Sequence, residues 1–198
     1  LPGVEAAGIV NTLPMGGTTN YDDIVIEGRE PPDGRAFNVG SMVVSPGYFR
    51  ALGIPVLRGR TFERGDLRDA PGVAVINRAM AERFWPGEDP IGRRVALEWD
   101  RRPEGTYLRT VVGVVENTRF GGLDEEPRPE LYVPFAQLPG RAAEATIVVR
   151  AAVVADPAAL AGAVQAEIQA VDPAVPLFDV APMRRVIRDH GSVVALRA

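Results

Sequence analysis

Few residues in this chain could do covalent chemistry. Its serines are Ser41, Ser45 and Ser192, and its one histidine is His190. Serine hydrolysis needs a base held against the hydroxyl and donors aimed at the oxyanion. Ser192 lies two residues from His190, but no G-x-S-x-G turn accompanies the pair. His190 therefore reads as a solvent-facing helix residue. Lysine and cysteine are absent, which excludes Schiff-base, P-loop-lysine and thiol chemistry as well as disulfides. One histidine without cysteine does not furnish the three or four ligands of a zinc site.

Carboxylates cluster at Asp22-Asp23 and at Asp124-Glu125-Glu126. Paired acids can serve acid/base or calcium chemistry. Adjacent acids on a loop point in different directions, however, and no D-x-D-x-D-G ladder is present. Both clusters read as solvated loop charge. Trp85 and Trp99 could stack a sugar, but their helical and strand spacing makes them packing residues.

The stretch "VSPGYFRALGIPVLRGRTF", Val44 to Phe62, places Gly47, Gly53 and Gly59 six residues apart, with Arg58 and Arg60 around the last. A phosphate loop would put such glycines between a strand and a helix N-terminus. Gly53 instead follows a short helix, and Gly59 precedes a polar linker. The stretch reads as scaffold. Ser45 caps the helix, Pro46 starts it, and Tyr48, Phe49 and Leu52 anchor it. Gly53 ends it as a left-handed cap, and "IPVL" follows as a strand.

The elements around these residues define a globular chain. It has 198 residues, 46% hydrophobic and 24% charged, with net charge −4. That suits one ordinary domain or two small ones and argues against a nucleic-acid surface. No apolar run reaches the length of a membrane span. Strands are expected at Val4–Pro14, Ile24–Gly28, Phe37–Ser45, "IPVL" and Val73–Ile76. Helix Asn77–Trp85 is capped by Asn77. "RVALEW" alternates, with Val95, Leu97 and Trp99 on one face, and after a hairpin loop "TYLRTVVGVVENT" returns as the longest strand. "ELYVP" is a strand inside a Pro-rich irregular region, and "ATIVVRAA" is another. Asp156 and Pro157 open a long helix with a stripe of Leu160, Val164, Ile168 and Val171. "DPAVPLFDV" leads into a further strand, and "APMRRVIRDHG" opens a last helix. "LPGVEAAGIVNTLPM" and "VDPAVPLFDVAPM" echo each other as helix end, Pro turn, strand and Pro-Met. The first residues read as a helix end, so both chain ends read as cuts.

Three blocks carry a family resemblance: Y-F-x-x-L-G-I-P-x-L-x-G-R-x-F, F-W-P-G-E-D-P-I-G and E-P-R-P-E-x-Y-x-P. In this order, over nearly the whole chain, they resemble the extracytoplasmic core domain of MacB-type, FtsX-like ABC transporter permeases. The resemblance implies an α+β fold in two parts. A porter-like βαβ subdomain would take residues 1–60 plus 141–198, lacking its N-terminal strand and helix. An inserted mixed α/β, Sabre-like subdomain would take residues 61–140. In such a permease the domain stands at the extracytoplasmic, periplasmic face of the inner membrane and is not an enzyme. It would hold no cofactor, because ATP is expected only in the separate cytoplasmic ATPase. The implied partners are that ATPase, a second permease copy and a periplasmic adaptor. Gly53, Gly59 and Arg60 are the candidate structural junction, with Arg58 beside them and "IPVL" in the porter-like sheet. Asp124, Glu125 and Glu126 are the candidate interaction surface. Two other readings stand beside this one: a stand-alone extracellular ligand- or polymer-binding module displaying Trp85, Trp99 and the acidic loop, and a small carboxylate hydrolase.

Overall fold

The computed structural model describes residues 1–13, 20–31, 34–102, 105–118, 126–138, 145–152, 157–176 and 178–188. Their architecture is mixed α/β, built around one sheet. Strand β3 (Phe37–Val44) organises it, because the sequence is apolar on both faces. One edge of β3 pairs antiparallel with β2 (Tyr21–Ile26) and then, at Val44, with β1 (Val4–Val10). The other edge pairs parallel with β10 (Glu130–Pro134), from Gly40 opposite Glu130 to Val44 opposite Pro134. The pairing continues through β5 (Val73–Asn77), β9 (Arg109–Val115) and β6 (Arg94–Leu97) back to β2, so the hydrogen-bonded path closes on itself. Strand β11 (Thr146–Ala151) lies outside this ring, paired with β1. Strand β4 (Val56–Gly59) pairs antiparallel with β9. A separate small hairpin joins β7 (Arg101–Arg102) to β8 (Gly105–Thr106).

Two hydrophobic cores lie on opposite faces of this sheet. Alternate residues of β5 feed them, Ala74 and Ile76 on one side and Val73 and Val75 on the other. Helix α2 (Arg78–Phe84) closes the first core with Met80 and Phe84. Helix α1 (Tyr48–Leu52) closes the second with Tyr48 and Phe49, and the Phe49 and Tyr132 rings meet edge to face at 5.0 Å. Strands from either side of residue 60 share the first core: β2 pairs with β6, and β3 with β10.

Several local expectations are corrected. Ser45 does not cap α1. Gly47 is the N-cap and gives no side-chain bond, while the Ser45 hydroxyl accepts the Ile9 amide at 2.8 Å and ties β1 to β3. Asp22 and Asp23 are not loop charges; they lie in β2, where Asp22 accepts from Ser41 and Asp23 accepts from Asn38 at 2.8 Å. Strand β6 stops at Leu97 with Ala96 also buried, because both its faces are covered; Trp99 lies beyond it in a turn, 43% exposed. The longest strand among the described residues is β3 with 8 residues, while β9 has 7. The resemblance implies that "IPVL" joins the porter-like sheet; β4 pairs with β9, which belongs to the same nine-stranded sheet as β1, β3 and β11.

Among the described residues, those from 157 on are mostly exposed. In α3 (Pro157–Val171), Leu160, Val164 and Ile168 are half-buried, but Val171 is 88% exposed. The expected cap of this helix, Asp156, lies outside the described residues. The strand expected from "DPAVPLFDV" is absent among the described residues there. Pro173 and Pro176 supply no ladder donors, and Asp179 has φ of 55°, outside the strand region. The echo with the first residues therefore covers one strand, β1, without a second. Those first residues form a turn, not a helix end. Residues 183–188 are helical.

Candidate functional site

The candidate junction is a close approach between β4 and β9. Strand β9 carries a bulge. Its register to β5 slips between Ala74 and Val75. As a result Val111 and Val114, three residues apart, face the same core, where strict alternation would place residues two apart. Gly113 sits at this slip. A Cβ on Gly113 would lie 1.9 Å from the Arg60 carbonyl oxygen. Opposite it, Gly59 has φ of 66°, and its Cβ would lie 2.2 Å from the Val112 carbonyl oxygen. Two glycines thus let the chain leave β4 against the β9 backbone, where the Arg60 amide donates to Val112 at 3.0 Å.

Arg60 then holds the chain that leaves. Its guanidinium donates two bonds to Asp66, at 2.9 and 3.0 Å, and one to the Thr61 carbonyl at 2.9 Å. Asp66 also accepts the Glu63 amide at 2.8 Å. Burial would raise the Asp66 pKa, but the Arg60 and Glu63 bonds outweigh it and hold the carboxyl below its ordinary value. Arg60 is shifted up, chiefly by its hydrogen bond to Asp66. The segment read as a polar linker is pinned at this point. Buried Gln137 adds bonds to the Leu67 and Pro71 carbonyls and to the Val73 amide. Arg58 makes an exposed contact to Asp89 at 3.5 Å, which contributes little. Gly53 is apart from this cluster; it caps α1 with φ of 69°.

Asp124 and Glu125 lie outside the described residues, as do His190 and Ser192, while Glu126 is exposed. Trp85 is buried in the first core against Phe84, with the Arg29 guanidinium 5.8 Å from its ring. Trp99 donates to Asp22 at 2.8 Å. Among the described residues no three histidine, cysteine or acidic side chains come together as a metal site, and no helix is long and apolar enough to cross a membrane.

The most unusual chemistry lies at the end of the second core. Glu130 is 3% exposed. Its carboxylate accepts from Tyr132 at 2.7 Å, from Thr118 at 2.7 and 2.8 Å, and from Asn77 at 3.2 Å. Asn77, fully buried, also accepts the Glu130 and Met80 amides at 3.0 and 2.9 Å and donates to the Arg128 carbonyl at 2.7 Å. One side chain thus caps α2 and fastens β5 to β10. Burial pushes the Glu130 carboxyl up to about 7 against the pull of these donors. Burial likewise raises the Tyr132 and Tyr48 phenols, with the Glu130 charge adding to both. Such a carboxyl could exchange a proton near neutrality, but its burial keeps it from a substrate. It is a structural acid. Its sequence signal was Glu130 and Tyr132 sharing one face of an otherwise apolar strand, directly after Pro129.

Among the described residues the buried side chains of Asn77, Glu130 and Gln137 fasten strands and the loop after β4 to one another within a mixed α/β domain. The sequence matches the MacB-like periplasmic core domain family over residues 1–171, and the chain belongs to that family. It is the kind of periplasmic domain that a MacB-like ABC transporter permease carries. A relative from Aeromonas hydrophila, the macrolide export ATP-binding/permease protein MacB 2, is 29% identical over 104 residues, 52% of this chain. The matched part is only 15% of that protein's length. The fold resembles the periplasmic region of MacB from Actinobacillus actinomycetemcomitans, with TM-score 0.58 and 14% identity, over 86% of this chain and 69% of that one. A domain of a putative permease protein from Porphyromonas gingivalis gives TM-score 0.55 at 17% identity, over 86% and 65% of the two chains.

Proposed function

We propose that this domain is the non-catalytic extracytoplasmic part of an ABC transporter permease. It couples ATP hydrolysis in the cytoplasm to substrate efflux, or to a mechanical signal across the membrane. The observation that carries this reading is family membership over residues 1–171. The Asn77–Glu130 tie, which fastens β5 to β10, and the Arg60–Asp66 pair, which pins the loop leaving β4, support it as fixed points of such a scaffold. ATP would bind only in the cytoplasmic ATPase, and the partners would be that ATPase, a second permease copy and a periplasmic adaptor. The domain would stand at the outer face of the cytoplasmic membrane. We propose that residues 1–60 with 141–198 act as its porter-like part and residues 61–140 as its inserted part, joined through the common sheet.

The chain lacks cysteine, so a single introduced thiol reports location. Glu82, exposed on α2, is replaced by cysteine in a parent permease freed of other cysteines. A membrane-impermeant maleimide should label it in intact spheroplasts. Labelling only after lysis would place the domain inside and refute the reading.

A second reading, a binding module, has one observation in its favour. Tyr21 and Trp99 are 44% and 43% exposed, and aromatic faces of this kind stack sugars and other ring ligands. Saturable heat of binding to oligosaccharides, lost in Trp99→Ala, would favour that reading over transport.

A further inference from the structure

Strand β1 meets β3 at a crossing. It pairs with β11 from Val4 to Val10, but with β3 only at Val10 opposite Val44. On each side of that pair a side chain takes the place of a ladder carbonyl. The Ser45 amide donates to the Ile9 carbonyl at 2.9 Å, while the Ile9 amide donates to the Ser45 hydroxyl oxygen at 2.8 Å. The Asn11 amide donates to the Val43 carbonyl at 3.1 Å, while the Val43 amide donates to the Asn11 side-chain oxygen at 2.8 Å. In an ordinary antiparallel ladder both acceptors of each exchange are backbone carbonyls. Here the strands cross and part, and two side chains close the crossing. From this geometry we propose that Asn11 and Ser45 are the positioning residues through which displacement of the β1–β11 pair reaches the ring of β2, β3, β5, β6, β9 and β10.

The proposal rests on the transport reading. In a permease, force would enter the domain along the chain. The chain comes in at β1 and goes out past β11 and α3, so both routes load the β1–β11 pair. Helix α1 is the other link between this pair and the ring. The Arg150 guanidinium of β11 donates to the Arg50 and Ala51 carbonyls of α1 at 3.2 and 3.0 Å. A Cβ on Gly8 would collide with the Tyr48 backbone, and one on Gly47 with the Ala7 carbonyl, so α1 lies directly against β1. Toward the ring, α1 offers aromatic packing, with Phe49 and Tyr48 against Tyr132. Apolar contact is non-directional, so it resists separation without fixing a register. The four bonds at the crossing are directed. Val10 and Val44 between them are fully buried, which keeps water from the centre of the crossing.

Asn11→Ala and Ser45→Ala each remove one side-chain acceptor, whereas Asn11→Asp with Ser45→Thr keeps both. Hydrogen exchange of the whole chain reads the amides of residues 11 and 45, whose own acceptors are backbone carbonyls that no variant alters. Their opening equilibrium should rise about fivefold in each alanine variant and about 30-fold in the double variant, one bond being lost each time. Val75 and Tyr132 in the ring should keep their rates. The conservative pair should match the unaltered chain. In a full-length permease freed of other cysteines and joined to its ATPase, spin labels at Glu82→Cys follow the two copies. Trapped ATP should displace them in the unaltered domain and in the conservative pair, and that displacement should be lost in the double alanine variant. If the double variant does not fold, the single variants carry the same comparison. No rise at residues 11 and 45, an equal rise across the ring, an undiminished displacement in the loosened variants, or a loss shared by the conservative pair would each overturn the coupling role. No displacement even in the unaltered permease would instead refute the transport reading, and the coupling role with it.

Discussion

Replacing Gly59 with alanine tests the close approach at the end of β4. Two effects add. An L-residue in the left-handed region costs about 1–2 kcal/mol. The new Cβ would also sit 2.2 Å from the Val112 carbonyl oxygen, a backbone atom that cannot swing aside. The exit from β4 must then move, which breaks the 3.0 Å bond from the Arg60 amide to Val112; that bond contributes ~1 kcal/mol. The sum is about 2–3 kcal/mol before any disturbance of the bulge at Gly113. Gly28 is the internal control. It has φ of 75°, and a Cβ added there would meet no atom within 4 Å, so Gly28→Ala should lose only the backbone part, the same about 1–2 kcal/mol. Urea unfolding of the three proteins, compared at equal slope, gives the difference directly. If Gly59→Ala costs no more than Gly28→Ala, the steric argument is wrong, and Gly59 is an ordinary turn residue.

Three further outcomes follow from named contacts. Asn77→Ala removes a helix cap and strips partners from the buried Glu130 amide and Arg128 carbonyl; a loss of about 3 kcal/mol is expected by urea titration. Asp66→Asn should lower the melting temperature at neutral pH. Because the Asp66 pKa is lowered, its contribution exists above the ordinary carboxyl value of 3.8 and disappears as pH falls through the folded value. The gap between the two melting curves should therefore close in acid, and a gap that persists there contradicts the ion pair. Ser45→Ala should cost ~1 kcal/mol through the lost Ile9 bond, with the helical circular-dichroism signal unchanged, since Ser45 caps nothing.

Where the sequence was legible, local chemistry and tertiary packing agreed. Phe37–Val44 is apolar on both faces and became the strand with partners on both edges. Asn77 stands between a β-branched run and a helix-forming run, and it caps α2 as its position implies. Gly53 takes the left-handed cap. Where packing supplied the missing term, the local pattern misled. A serine before Pro46 has two uses, and the arrival of β1 decided for the Ile9 amide. Ala96 is buried although it points away from the core face of Val95 and Leu97, which no alternation within six residues could announce. The Glu130 cluster was hidden for the same reason. Its donors come from Asn77 and Thr118, 53 and 12 residues away in sequence, and only the pairing of β10 with both β3 and β5 brings the carboxyl under cover. Of the acidic segment Asp124–Glu126, only Glu126 is among the described residues, and it is exposed.

Mechanical coupling across the membrane is the central claim, and distance measurement reaches it most directly. Spin labels placed at Glu82→Cys in a full-length permease, with its ATPase, report the separation of the two copies of α2. The account predicts one distance distribution without nucleotide and a clearly displaced one when a hydrolysis-dead ATPase traps ATP. Identical distributions in the two states, with transport intact in the hydrolysis-competent complex, would contradict it.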